Sequence, residues 1–189
     1  MDAAERVLAR DELLAWAAER QRQGQRIVFT NGVFDLLHLG HVRYLQRARA
    51  LGDALVVGVN SDASTRRLKG PARPIVAQGA RAEVLAALTC VDAVTIFDEL
   101  TASALIAALR PAVYAKGGDY AGPGARSTPR TIGPDELRRA AGALPSASDL
   151  AGLFARLPEA PVVAEYGGMV CLIPYLPGHS TTELIARIT

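Results

Sequence analysis

The chain has 189 residues and a mass of 20.0 kDa, a size that suits one domain or one domain carrying a subdomain. It is 50% hydrophobic and 21% charged, as expected of a globular protein with a substantial apolar core. Its 21 basic and 19 acidic residues leave a net charge of +2, which argues against a polybasic nucleic-acid binder. No nucleic-acid partner is therefore expected.

Cysteine usage and hydropathy indicate the compartment. Cys90 and Cys171 are too few for a disulfide scaffold and both lie in apolar runs, which indicates buried thiols in a reducing cytoplasm. No apolar run reaches the ~18 residues that a membrane span needs. The first residues are charged and lack the apolar core of a signal peptide. We therefore expect a cytoplasmic protein with no membrane partner.

Apolar runs and helix signals predict strands and helices in alternation. Up to residue 60 they predict a helix at 11–23 capped by Asp11, a strand at 26–30, a loop at 31–39, a helix at 40–50 and a strand at 54–60. The next predicted elements are a polar loop at 61–74, a helix at 78–88, a strand at 93–97, a helix at 101–109 capped by Thr101, a strand at 112–115 and a loop at 116–120. A strand at 169–173 and a helix at 180–188, capped by Ser180 or Thr181, complete the pattern.

This alternation predicts a doubly wound α/β fold with a mostly parallel sheet, formed as a single domain over residues 1–189. In such sheets ligands bind outside the carboxyl ends of the strands. The loops of interest are therefore 31–41, 61–74, 116–120 and 174–182.

Residues 121–158 interrupt the alternation. They hold five of the 11 prolines and five of the 17 glycines, which is too much punctuation for a core segment. Two short helices are predicted there, at 134–141 and 149–157. The segment is interpreted as an inserted helical arm or lid beside the site, with a passive surface elaboration as the alternative.

The segment His38-Leu39-Gly40-His41 follows a strand and opens a helix. Unpaired N–H groups and the positive end of the helix dipole favour an anion there. His38 and His41 are three residues apart, so both imidazoles lie on one face of the first turn and can donate hydrogen bonds to phosphate oxygens. The alternative is a metal site in which His179 is a third ligand, although no acidic or cysteine ligand stands at metal-site spacing.

Lysine is rare in this chain. The two lysines among the 21 basic residues are Lys69 and Lys116, and each precedes a glycine. Where arginine otherwise covers the solvated faces, two lysines of this kind indicate point charges aimed at phosphate, with coding bias as the alternative.

The run TNGVFDLLHLGH (30–41) resembles the signature of the cytidylyltransferase-like nucleotidyltransferases, which have a Rossmann-like sheet and an HxGH phosphate site. Further stretches resemble the bacterial heptose-phosphate adenylyltransferases: VGVNSDAST (57–65), RRLKG (66–70), RP (73–74), KGGDY (116–120) and GHSTTELIARI (178–188). The resemblance covers about 26–120 and 158–188, and leaves out the insert.

The resemblance implies roles for individual residues. The catalytic set that it implies is His38, His41, Lys69 and Arg81, which bring hydrogen bonds and positive charge to the phosphates. The nucleotide-binding set that it implies is Thr30, Asn31, Gly32, Phe34, Asp35, Gly40, Lys116, Gly117, Gly118, Asp119, Ser180, Thr181 and Thr182. In that set Asp35 would hold its loop, residues 116–119 would border base and ribose, and residues 180–182 would bind phosphate.

The implied reaction transfers AMP from ATP to a sugar 1-phosphate, D-glycero-D-manno-heptose 1-phosphate, with Mg²⁺ bridging phosphates and no metal ligands named in the chain. Alternatives are a glycerol-3-phosphate cytidylyltransferase-like enzyme, another sugar-phosphate nucleotidyltransferase, and a non-catalytic nucleotide-binding regulator. A homodimer is expected from the resemblance, with apolar residues in 160–176 as candidates for its surface.

Overall fold

The computed structural model describes residues 2–117, 129–141 and 156–174. Its strands are β1 (Ile27–Gly32), β2 (Ala54–Asn60), β3 (Ala93–Phe97), β4 (Val113–Gly117), β5 (Arg130–Ile132) and β6 (Met169–Ile173). Its helices are α1 (Arg10–Arg22), α2 (Leu39–Arg49), α3 (Asp62–Lys69), α4 (Gln78–Ala86), α5 (Ser103–Leu109), α6 (Pro134–Ala141) and α7 (Ala160–Glu165), after a short 3₁₀ turn at Ala4–Arg6.

The described strands form one sheet in the order β3-β2-β1-β4-β6-β5. Neighbouring strands are parallel throughout, except that β5 runs antiparallel to β6. The chain moves outward from β1 to β2 and β3, then returns to the other side of β1 with β4. This order confirms the predicted doubly wound α/β fold and puts the topological switch point between β1 and β4.

Both faces of the sheet are covered, which explains why its strands are apolar without alternation. Successive residues of β1 contribute to different core clusters: Phe29 packs with Leu13 of α1 and Leu105 of α5, and Val28 packs with Leu45 of α2 and Leu85 of α4. All seven residues of β2 are buried. The carboxyl ends of β1 and β4 are thus held between two helical layers.

The loop predicted at 61–74 is wrong over its first half, where α3 forms. The Ser61 side chain caps this helix by accepting a hydrogen bond from the Ser64 amide at 3.1 Å, and Asp62 lies in the first turn. Three basic residues occupy the last turn and complement the dipole. Because α3 has no apolar stripe, apolar periodicity could not reveal it.

Other element ends also differ from the predictions: β1 continues through Asn31 and Gly32, which were predicted in a loop, and α4 ends at Ala86, not at residue 88. Asp11 does not cap α1: its N-cap is Ala9, whose amide donates to the Glu12 carboxylate at 2.9 Å. Thr101 does not cap α5, which begins after Ala102. The strand predicted at 112–115 extends through Lys116 and Gly117, which lie on β4 and not in a loop.

The segment 121–158 contributes to the core where it is described. Helix α6 has the predicted bounds, but β5 was not predicted, and it joins the sheet edge beside β6. Ile132 and Leu137 are fully buried in the cluster that also contains Leu157. The second predicted helix, 149–157, lies almost entirely outside the described residues. The lid and the single-domain organisation stay predictions.

The apolar residues of 160–176 that were expected at a dimer surface are largely internal. Val163, Val170, Cys171 and Ile173 are fully buried within this one chain. The surface argument for a dimer is therefore wrong over 160–174, and the homodimer stays a prediction from the resemblance. Across the described segments, no helix is both long enough and apolar enough to cross a membrane.

Candidate active site

The candidate site lies at the switch point, where β1 and β4 end side by side. The ladder between them pairs Val28 with Val113 and Phe29 with Tyr114. Beyond this register, side chains link the strands: the Tyr114 hydroxyl donates to Asn31 Oδ1 at 2.8 Å, and Lys116 Nζ donates to the Asn31 carbonyl at 3.2 Å. Asn31 and Lys116, both predicted to bind nucleotide, are therefore brought together.

The two predicted histidines form a stacked pair at the start of α2. His38 is the N-cap residue, and its ring lies 3.8 Å from that of His41, with 28° between the ring planes. The Phe34 ring meets His41 edge-on at a centroid distance of 5.3 Å. Gly40 is buried in the same turn. The spacing argument for a shared face is confirmed.

His41 is held in its neutral form at pH 7. Burial lowers its pKa from 6.5 to about 4, the charge of His38 acts in the same direction, and a backbone hydrogen bond to Leu36 acts against both. A nearby anion would act against both effects, because its negative charge favours the protonated form of the imidazole. In the free protein at pH 7 the imidazole carries no charge and offers one N–H donor to an acceptor oxygen.

The two lysines occupy different surroundings. Lys116 is buried on β4, and this burial lowers its pKa to about 8, while the charge of Glu159 opposes the shift. Lys116 thus remains mainly charged at neutral pH, beside the end of β1. Lys69 is exposed at the last position of α3, and its role at the phosphates stays a prediction.

Asp35 holds its loop, as the resemblance implied. Its Oδ1 accepts hydrogen bonds from the backbone amides of Ile75 and Val76 at 2.8 and 2.9 Å. Its Oδ2 forms an ion pair with Arg73 Nε at 2.6 Å. A buried carboxylate with these partners stabilises the loop between β1 and α2 against residues 73–76.

Arg81 lies inside the protein, not at the surface of the site. Its side chain is 0% exposed, and three of its nitrogens have protein acceptors. Nε donates to the Val76 carbonyl at 2.8 Å, Nη1 to the Val33 carbonyl at 2.5 Å and Nη2 to Asp62 Oδ1 at 2.8 Å. Contact between Arg81 and phosphate, implied by the resemblance, stays a prediction.

Thr30 also has an internal partner. Its hydroxyl lies 2.6 Å from the Tyr44 hydroxyl, which in turn donates to the Ala115 carbonyl at 2.9 Å. Thr30 therefore ties β1 to α2 and β4 beneath the site. Gly32 lies at the end of β1, where an added Cβ would approach the Phe34 ring to 3.1 Å, so close packing against that ring favours glycine. Gly117, at the end of β4, is buried.

Sequence reasoning missed three residues that shape the site: Asp62, Arg73 and Tyr44. Asp62 follows β2 at the same sheet edge, a position that could have identified it as a partner for a buried cation. The predicted residues Gly118, Asp119, Ser180, Thr181 and Thr182, with His179 of the alternative metal site, lie outside the described residues. In the part of the chain that is described, no three side chains of the metal-ligating types His, Cys, Asp and Glu cluster together.

Residues 29–138 match the family described as cytidylyltransferase-like. Two proteins named bifunctional protein HldE are similar: that of Pelobacter propionicus is 45% identical over 99% of this chain, and that of Geobacter sulfurreducens 47% over 94%. This chain spans about a third of their length, 32% and 30% respectively. A solved lipopolysaccharide core biosynthesis protein from Thermoplasma volcanium is 26% identical, with a TM-score of 0.52 over 81% of this chain and 98% of that one. The chain therefore belongs to the cytidylyltransferase-like family of nucleotidyltransferases.

Proposed function

We propose that this chain is an adenylyltransferase that transfers AMP from ATP to D-glycero-D-manno-heptose 1-phosphate and releases pyrophosphate. The observation that carries the proposal is the His38–His41 pair, stacked at 3.8 Å where β1 leads into α2. Helix N–H groups and imidazoles at one point suit an anion whose charge grows during transfer. The choice of ATP and heptose rests on residues 57–65, 116–120 and 178–188, and is supported by 45–47% identity to two HldE proteins.

In the proposed reaction, a phosphate oxygen of the sugar attacks the α-phosphorus of ATP in line with the bond to the bridging oxygen. The new P–O bond forms, the bond to the bridging oxygen breaks, and pyrophosphate leaves with that oxygen and its electron pair. No covalent enzyme intermediate is needed, so the protein acts through positioning and charge. His38, His41 and Lys116 would stabilise the phosphates, with Lys69 at the edge of the site.

Mg²⁺ would shield the charge of the triphosphate and is proposed to arrive with the nucleotide. Two described carboxylates in the segments after β1 and β2 already have cationic partners: Asp35 pairs with Arg73, and Asp62 with Arg81. This distribution fits a cation held mainly by phosphate oxygens and water, which is the usual mode for Mg²⁺.

The test is pyrophosphate release by the purified chain, with ATP and CTP each offered with heptose 1-phosphate, other sugar 1-phosphates and glycerol 3-phosphate. We expect release with ATP and the heptose phosphate. His41→Ala should lower kcat by about 100-fold or more, because a donor to the transferring phosphate is lost. The matched control is Arg43→Ala, which removes an exposed side chain from the same helix and should leave kcat unchanged.

Other outcomes would replace the proposal. If CTP with glycerol 3-phosphate were the one substrate pair of the panel that gave turnover, the chain would be a cytidylyltransferase. Tight ATP binding without pyrophosphate release on any acceptor would indicate a regulator. Parent-like turnover of His41→Ala would remove the histidine from the chemistry.

A further inference from the structure

The loop between β1 and α2 contains a residue in an unusual conformation. Phe34 has a φ of 50°, in the left-handed region that bulky residues rarely adopt. Its ring lies 5.3 Å from the His41 ring, edge to face. The backbone at Phe34 thus decides where the ring beside the histidine pair stands, and such a conformation persists only where neighbouring groups enforce it.

Groups from two other segments enforce it. On one side of Phe34, the Val33 carbonyl accepts from Arg81 Nη1 at 2.5 Å. On the other side, Asp35 accepts from the amides of Ile75 and Val76. Val76 belongs to both arrangements, because its carbonyl also accepts from Arg81 Nε at 2.8 Å. The left-handed residue is therefore held on both flanks by one connected set of hydrogen bonds.

Asp62 supplies the one carboxylate among the three acceptors that orient Arg81. The guanidinium donates from Nη2 to Asp62 Oδ1 at 2.8 Å, and the Asp62 amide donates to Gln78 Oε1 at 2.7 Å. The first turns of α3 and α4 are thereby joined. A planar guanidinium can satisfy three fixed acceptors at once, which the single ammonium of a lysine cannot do with the same geometry.

We propose that Asp62 and Arg81 are a positioning pair that fixes the Val33–Phe34 backbone, so that the Phe34 ring keeps His38 and His41 aligned for phosphate transfer. Neither residue needs to touch the substrate in this role. The part that concerns transfer rests on the proposed function. The part that concerns alignment of the histidines does not, and it can be tested without any nucleotide.

The first test is NMR of the histidine ring signals in the nucleotide-free protein. Arg81→Lys and Asp62→Asn should both shift the ring signals of His38 and His41, because the ring currents of Phe34 and of the stacked imidazoles depend on their relative positions. Asp62→Asn preserves shape at a partly exposed site, so it serves if Arg81→Lys folds poorly. Ring signals identical to those of the parent in both variants would overturn the proposal.

The second test separates positioning from direct phosphate contact by steady-state kinetics with ATP. A positioning pair predicts that Arg81→Lys lowers kcat at least about 10-fold while KM for ATP changes less than about 3-fold. Asp62→Asn should lower kcat in the same way, and the double variant should be little worse than Arg81→Lys alone. Direct contact predicts instead a raised KM in Arg81→Lys and undiminished kcat in Asp62→Asn, a result that would overturn positioning.

Two control variants exclude general effects. Arg67→Lys makes the same chemical change at an exposed arginine of α3, whose Nη2 donates to the Asp98 carbonyl at 2.6 Å, and should leave kcat unchanged. Leu105→Ala destabilises the core cluster on the other face of the sheet, and should lower Tm without moving the histidine signals. If Leu105→Ala moved those signals as Asp62→Asn does, the effect would be one of stability, and the proposal would be wrong. If the parent released no pyrophosphate while Asp62→Asn still shifted the His38 and His41 ring signals, the proposed function would be wrong and the alignment role would stand.

Discussion

At the scale of single residues, the packing of the His41 ring sets both its position and its pKa in the free protein. The ring packs between His38 and Phe34, where the proposed reaction needs a donor to phosphate, and the same packing removes it from water. Burial first, and the charge of His38 second, lower its pKa to about 4. In the free protein, protonation of His41 is therefore unfavourable. An anionic ligand would act against both effects and raise the pKa of His41 again.

This arrangement predicts acid sensitivity. The pKa of His41 is about 4 in the folded protein and near 6.5 in the unfolded chain, so the unfolded chain takes up the proton first as pH falls. The free energy of unfolding should therefore drop between pH 6.5 and 4, by up to roughly 3 kcal/mol, and the loss should be complete below that window. His41→Asn should lose less over this range in urea titrations at pH 7, 5.5 and 4.5. Equal losses in parent and variant would contradict the assignment.

At the scale of elements, the sequence predicted the parts whose signal is local and apolar. The strands β1, β2 and β3 are runs buried on both faces, and α6 matches its predicted bounds because proline and glycine punctuate it. Helix α3 was missed because its faces are polar and its start depends on the Ser61 cap. Strand β5 was missed because three residues become a strand only through pairing with β6, which is distant in sequence.

The candidate site divides in the same way. The shared face of His38 and His41 could be predicted from the sequence, because both residues belong to one strand–loop–helix unit. The internal roles of Thr30 and Arg81 could not, because their partners Tyr44 and Asp62 come from other elements. The burial of Lys116 likewise depends on how far β4 extends. The glycines that follow Lys116 are typical of a loop, so the sequence did not predict that the strand continues to this residue.

The segment that contains α6 gives a prediction at this scale. Leu137 is fully buried in the cluster beneath the sheet, so Leu137→Ala should lower the free energy of unfolding by about 2–5 kcal/mol. Arg139→Ala removes an exposed side chain from the same helix and should change it by less than about 0.5 kcal/mol. Urea unfolding measures both. A Leu137→Ala variant as stable as the parent would mean that the segment is a detachable arm.

At the scale of the whole molecule, one sheet separates two core clusters yet belongs to both. Phe29 and Val28 are adjacent in β1 and pack on opposite faces, and the same holds for Leu55 and Val56 in β2. Loss of packing on one face should therefore lower the stability of strands that the other face also uses. The chain spans about a third of the length of the HldE relatives. Because the two core clusters share the strands of one sheet, we expect the described part of the chain to unfold cooperatively.

Cooperativity can be tested with the single tryptophan, Trp16, which packs against the cluster that contains Leu105. Leu85 belongs to the cluster on the opposite face. If the described sheet unfolds as one unit, Leu85→Ala should lower the urea midpoint reported by Trp16 fluorescence as much as the midpoint reported by far-UV circular dichroism, for a loss of about 2–5 kcal/mol. Leu105→Ala, on the tryptophan's own face, provides the matched comparison. A Trp16 midpoint that stays fixed in Leu85→Ala while the dichroism midpoint falls would mean that the two faces unfold separately, because only independent layers allow a cavity on one side to go unnoticed on the other.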